Sequence, residues 1–168
     1  MQYGGVLAYR SIVTGNKDTI KIEISLREPA IKDVKILQAA TLLVDPFKQS
    51  PVADQIEIRS LAKQEAYAEK LRAALTRREP AIRDFFDLDY AIHNSVFDFS
   101  DAEFITLVKK KLAIPGNPPV SLAGSRIEKL KNQLEAELRP VLRAVDFNKF
   151  NLDNAIQEAA QIASKLSL

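Results

Sequence analysis

The chain has 168 residues, 46% apolar and 27% charged, which suits one domain with a real core and excludes wholesale disorder. Its 24 basic and 22 acidic residues leave a net charge of +2, which excludes a strongly basic nucleic-acid coat and an acidic tail. Cysteine is absent and His93 is the single histidine, so disulfides, thiol nucleophiles, thiolate metal sites and multi-histidine zinc sites are excluded.

The opening MQYGGVLAYRS has no signal-peptide core, and no apolar run approaches the ~18 residues of a membrane span. A soluble, cytoplasmic chain with no membrane partner is expected. The first 60 residues read as β-rich. Residues 6–13 (VLAYRSIV) and 19–26 (TIKIEISL) flank the turn-rich Thr14-Gly15-Asn16-Lys17-Asp18, which predicts a hairpin. Ile20, Ile22, Ile24 and Leu26 share one face of the second run, and Lys21, Glu23, Ser25 and Arg27 share the other. Residues 33–44 are read as a strand, Pro46 and Pro51 bound a loop, and residues 55–60 (QIEIRS) form another short strand.

After residue 60 the period becomes helical. Helices are predicted over 63–78 and 81–94, separated by Pro80. Ser100-Asp101-Ala102-Glu103 is a capping-box pattern that opens a third helix to about Leu112. The stiff connector Ile114–Pro119 follows. Ser125–Glu128 repeats the capping-box pattern ahead of a stripe of Ile127, Leu130, Leu134 and Leu138, predicting a helix over 125–139. The last helix, 152–166, carries Ala155, Ile156, Ala159, Ile162 and Ala163 on one side. Strands first and helices afterwards make an α+β fold, with a small mixed β-sheet in residues 1–60 and a helical region, 61–168, packed on it.

The five glycines form neither a P-loop nor a dinucleotide-binding fingerprint, and no nucleophile elbow occurs. His93 reads as a cap or surface residue at the end of the second helix. Lys63, Lys70 and Arg77 fall in one row beside the apolar arc of the first helix. That row could hold an anion, and it is equally what a solvated helix flank looks like. Asp84 and Asp87 are i,i+3 neighbours, off the face of Ile82, Phe85, Leu88 and Ile92. Two carboxylates one turn apart repel unless a cation lies between them, which implies Lys70, Arg78 or a metal ion; the plainer form is a salt bridge to the preceding helix.

The stretch AEKLRAALTRR (68–78) followed by RDFFDLDYAI (83–92) resembles the signature of the AbiEii-type nucleotidyltransferase toxins, a helix AEKLRALLxR followed by RDxxDL. The strand TIKIEIS resembles that family's strand bearing the last active-site carboxylate, which falls on Glu23. The resemblance spans residues 9–95. It implies an N-terminally truncated polymerase-beta-like nucleotidyltransferase fold and transfer of a nucleotide from a nucleoside triphosphate to an acceptor such as RNA, in some members a tRNA end. It implies catalytic Mg2+, a bacterial toxin–antitoxin or phage-defence system, and an antitoxin or transcription regulator encoded nearby. On this resemblance Glu23, Asp84 and Asp87 are catalytic, Glu23 is the metal ligand, and Lys70, Arg77 and Arg78 bind substrate.

The departures bear on catalysis. The family opens with a Gly-Gly or Gly-Ser turn and then an Asp-x-Asp pair that holds magnesium. Gly4-Gly5 and Arg10-Ser11 imitate that opening, yet Ile12, Val13, Thr14 and Gly15 follow and Asp18 stands alone. Two-metal phosphoryl transfer needs several shared carboxylate oxygens, and Glu23 supplies one residue's worth. Ala62–Glu65 also replaces the commoner Ser-Leu-Glu-Glu helix start, and Asp89 stands where an aromatic is usual; these two departures concern caps and packing, not catalysis. The expectation is a chain that binds triphosphate but transfers nothing. The alternatives are a non-catalytic nucleotide- or protein-binding remnant, and a helical assembly module whose stripes at 127–138 and 152–166 pack a partner.

Overall fold

A computed structural model describes residues 2–12, 14–25, 28–94 and 96–166. The chain divides into two compact units, residues 1–30 and 31–168. Val13, Leu26 and Arg27, placed in strands by the sequence pattern, lie outside the described residues.

The first unit is an antiparallel hairpin of β1 (Gln2–Arg10) and β2 (Lys17–Ser25). Arg10 pairs with Lys17 and Gly4 with Glu23, so Gly4 and Gly5 lie within a strand rather than in an opening turn. The turn closes by Ser11 N–H donating to the Asn16 carbonyl (2.9 Å) and Gly15 N–H to that of Ser11 (2.8 Å). Gly15 has φ +71°, a left-handed conformation that glycine adopts without a Cβ penalty. The period-two pattern places Tyr3, Leu7, Tyr9, Ile20, Ile22 and Ile24 on one face, and all six are exposed.

The second unit opens with another antiparallel hairpin, β3 (Lys35–Ala39) and β4 (Ile56–Ser60), in which Leu37 faces Ile58. The α+β order is therefore as expected, but the strands form two separate two-stranded sheets instead of one mixed sheet. Alternation names a face of each strand but not its partner, and each strand pairs antiparallel with the strand next to it in sequence. The strand expected over 33–44 stops at Ala39, and the chain turns at Asp45, whose carboxylate accepts from the N–H of Phe47 (2.8 Å) and Lys48 (3.0 Å).

Six helices follow among the described residues: α1 (Lys63–Thr76), α2 (Ile82–His93), α3 (Ala102–Leu112), α4 (Gly124–Gln133), α5 (Ala144–Phe147) and α6 (Leu152–Ser164). A π-helical turn, Leu134–Leu138, and a 3-10 turn, Arg139–Val141, prolong α4. The core is built from the helices and the turns beside them. Leu71, Leu75, Phe85, Leu88, Phe104, Val108, Leu130 and Ile162 are buried together, and no strand residue joins them among the described residues. Beside them Tyr67, Phe97, Phe99 and Phe104 form an aromatic cluster, with Phe97 and Phe99 stacked 4.2 Å apart.

Neither capping box forms as expected. Asp101 caps α3 by accepting from Glu103 N–H (3.1 Å), while Ser100 donates to the Asp98 carboxylate (2.7 Å). Helix α4 starts one residue early at Gly124, so Ser125 is already inside it and Ala123 has no side chain to cap with. Helix α1 ends at Thr76 because Arg77 is extended (ψ 137°), which turns the chain toward Pro80. After α3, Gly116 (φ +89°) turns the chain and the Asn117 amide donates to the carbonyls of Lys111, Leu112 and Ile114.

Candidate functional site

Helix α1 carries Lys70 beside its buried Leu71 and Ala74, and Arg77 is the residue that caps its C-terminal end. Helix α2 carries Asp84 in its first turn and Asp87 one turn on. The angle between the helices is held from a distance by α4. Arg126 donates to the carbonyls of Ala74 (3.0 Å) and Arg77 at the end of α1. Gln133 donates to the Pro80 carbonyl (2.9 Å) and accepts from Ile82 N–H (2.8 Å) at the start of α2. These bonds satisfy backbone groups that helix ends otherwise leave orphaned.

Clasped this way, the helices bring Lys70 against Asp87 in a direct ion pair and set Arg77 Nη1 3.3 Å from Asp84 Oδ2. Four of the sequence-derived site residues thus form one cluster, and the cations between the aspartates are Lys70 and Arg77. Arg78, expected as the alternative partner, is exposed and pairs with neither aspartate because the chain has already left the helix. Asp84 is 4% exposed, and burial pushes its carboxyl above the ordinary 3.8; Arg77, Lys70 and Arg83 oppose that rise and Asp87 adds to it. Burial also raises the Tyr67 phenol, with Asp87 adding to it and Lys70 opposing. Lys63, the first member of the basic row, lines a cleft of about 950 Å³ together with Lys32, Lys35, Leu37 and Phe97.

Glu23 belongs to the other unit. It lies on the polar face of β2, as its alternation requires, with its carboxylate 2.7 Å from Lys21 Nζ. Its face of the hairpin otherwise presents Arg10, Lys17, Thr19 and Lys21, with Gly4, Val6 and Ala8 opposite, so Glu23 is the one carboxylate there among the described residues. Asp84 and Asp87 are engaged by Arg77 and Lys70. This donor set does not fit the paired-carboxylate cradle that two magnesium ions require.

The sequence pattern missed a buried pair. Glu65 Oε1 accepts from Lys111 Nζ (2.8 Å) and Ile31 N–H (2.9 Å), and Oε2 accepts from Lys32 N–H (2.8 Å). The available signal was spacing, since Lys111 continues the buried stripe of Phe104, Leu107 and Val108. A second miss is Arg72, a buried guanidinium bonded to Glu69, Thr76 and the Asn117 side chain. His93 is exposed in the last turn of α2, as expected, but it neighbours the carboxylates of Asp89 and Glu158.

Among the described residues, no helix is long and apolar enough to cross a membrane. No curated protein and no solved structure matches the chain. The family model described as "Nucleotidyl transferase AbiEii toxin, Type IV TA system" matches residues 1–161. That span takes in the Glu23 strand and both helices of the charged cluster, and on this match the protein belongs to the AbiEii nucleotidyl transferase toxin family of type IV toxin–antitoxin systems.

Proposed function

We propose that the chain binds a nucleoside triphosphate through Lys70 and Arg77, as part of nucleotide transfer to an RNA acceptor such as a tRNA end, and that the 168-residue chain alone transfers nothing. Family membership supports the reaction class. The observation that carries the binding assignment is the pairing of each cation with an aspartate of the facing helix. Asp87 holds the Lys70 ammonium at a set place, where it acts as a point charge toward phosphate, while Arg77 offers a planar fork of donors. Both cations remain partly open to solvent, so a phosphate chain can reach them. The inactivity follows from the shortage of carboxylates around Glu23. An antitoxin is the cellular partner on this reading, in a cytoplasmic toxin–antitoxin or phage-defence system.

The test is equilibrium binding of labelled ATP and GTP, run beside a transfer assay with bulk tRNA in magnesium buffer. Weak binding that falls about tenfold in Lys70→Ala, the equivalent of ~1.4 kcal/mol, and that falls with added salt is expected, with no label on RNA. Binding indifferent to Lys70→Ala overturns the binding assignment. Robust labelling abolished by Glu23→Gln overturns the inactivity.

A further inference from the structure

On the far side of α2 from Lys70 and Asp87's partners, a second group of side chains has no part in the transferase reading. Asp89 and His93 are one turn apart on α2, and Glu158 faces them from α6. One ring nitrogen of His93 and one carboxylate oxygen from each acid all lie within 4.8 Å of one another. We propose that these three residues bind a single divalent first-row transition-metal ion, of which zinc is the probe, and so tie α2 to α6.

Two buried oxygens point to a ligand. The Asp89 side chain is 10% exposed, and its Oδ1, 3.4 Å from His93 Nδ1, is buried without a hydrogen bond. Oε2 of the half-buried Glu158 is also buried without one. An orphaned buried carboxylate oxygen is expensive, and two aimed at the same space are more so. The basic side chain printed against Asp89 is His93, its Nδ1 3.4 Å from Asp89 Oδ1. Neither acid forms an ion pair with a lysine or arginine among the described residues, and the nearby Arg143 is bonded to Asp146 at 2.6 Å. A divalent ion would neutralise the pair of carboxylates while leaving the imidazole neutral as a ligand.

The donor set selects the kind of ion. One imidazole with two carboxylates suits zinc, manganese or iron, whereas magnesium and calcium prefer all-oxygen shells. The ligand atoms stand somewhat wider than metal bonds of about 2.0–2.2 Å require, a gap that modest side-chain rotation closes. His93 Nδ1–H donates to the Asp89 carbonyl (2.9 Å), which steadies the ring as outer-shell bonds do in metal sites. The His93 side chain is 58% exposed, so an ion can enter and a water can complete the shell.

The experiment titrates zinc into untagged, metal-stripped full-length protein by calorimetry and records the visible spectrum with cobalt. One-to-one binding is expected, with a rise in the thermal midpoint and no displacement by millimolar magnesium. His93→Ala and Glu158→Gln should each weaken zinc binding by about 10–100-fold with unchanged far-ultraviolet circular dichroism. Asp89→Asn, which keeps the shape of the side chain, should do the same. Absence of zinc binding at millimolar concentration, or binding unchanged in His93→Ala and Glu158→Gln, overturns the proposal.

Discussion

Glu65 and Lys111 form an ion pair in the interior, Oε1 to Nζ 2.8 Å, with both side chains almost wholly withdrawn from water. The pair joins the first turn of α1 to the last turn of α3, and the same carboxylate takes the backbone N–H groups of Ile31 and Lys32 ahead of β3. Burial works to raise the Glu65 carboxyl, but Lys111 and the two amides outweigh it and hold it below the ordinary 4.5.

Removing the carboxylate should therefore be severe. Glu65→Ala takes the carboxylate from a buried ammonium and leaves two amides unsatisfied, a loss of about 3–5 kcal/mol. A depressed folded pKa means the contribution is present above the unfolded value near 4.5 and is lost as pH falls through the folded value. Urea denaturation of the wild type should show this acid-side loss below pH 4.5, and Glu65→Gln should flatten it.

Asp84 has the opposite sign. Its folded pKa lies above the ordinary 3.8, so the folded state binds the proton more tightly than the unfolded chain. The protonated carboxyl then favours folding at low pH, and that advantage is lost as pH rises from 3.8 through the folded value. Asp84→Asn should stabilise the protein at pH 7 and not at pH 3. Equal stability of the two proteins at neutral pH would show that Arg77 fully offsets the burial.

Arg126 should matter to a helix it does not belong to. Arg126→Ala strips the bonds to the Ala74 and Arg77 carbonyls, a loss of about 1.5–3 kcal/mol for bonds from a charged donor. A denaturation midpoint unchanged from wild type would mean that water caps α1 equally well.

Core substitutions should separate the helices from the hairpins. Phe85→Ala, at a residue 1% exposed, should lose about 3–5 kcal/mol. Ile22→Ala on the exposed hairpin face should lose less than about 1 kcal/mol. Thermal melts followed at 222 nm distinguish the two.

The helices were legible because their apolar stripes are long and regular; Leu71, Leu75, Phe85, Leu88 and Phe104 fall where a 3.6-residue period puts them. The Lys70–Asp87 pair was legible because the motif and the row of basic residues agreed. Strand pairing was not, since alternation in residues 19–25 names a face but not a partner strand. The capping boxes misled because local hydrogen-bonding patterns recur by chance, and tertiary bonds from Arg126 decide where α4 begins to be useful. Lys111 was hidden inside Lys109-Lys110-Lys111, a run that reads as solvated although only its last member turns inward. Asp89 passed as a packing change because nothing in the local sequence shows that α6 brings Glu158 to it.

The clasp of α4 on the α1–α2 junction also sets an order of events during synthesis. Arg126 and Gln133 reach back 49 to 53 positions to the carbonyls they bind. A growing chain that has released both motif helices still lacks the residues that fix the angle between them. Lys70 and Arg77 gain a defined spacing from Asp84 and Asp87 only after residue 133 has left the ribosome. For a toxin, that timing keeps the charged face unassembled while the two motif helices are out but α4 is not.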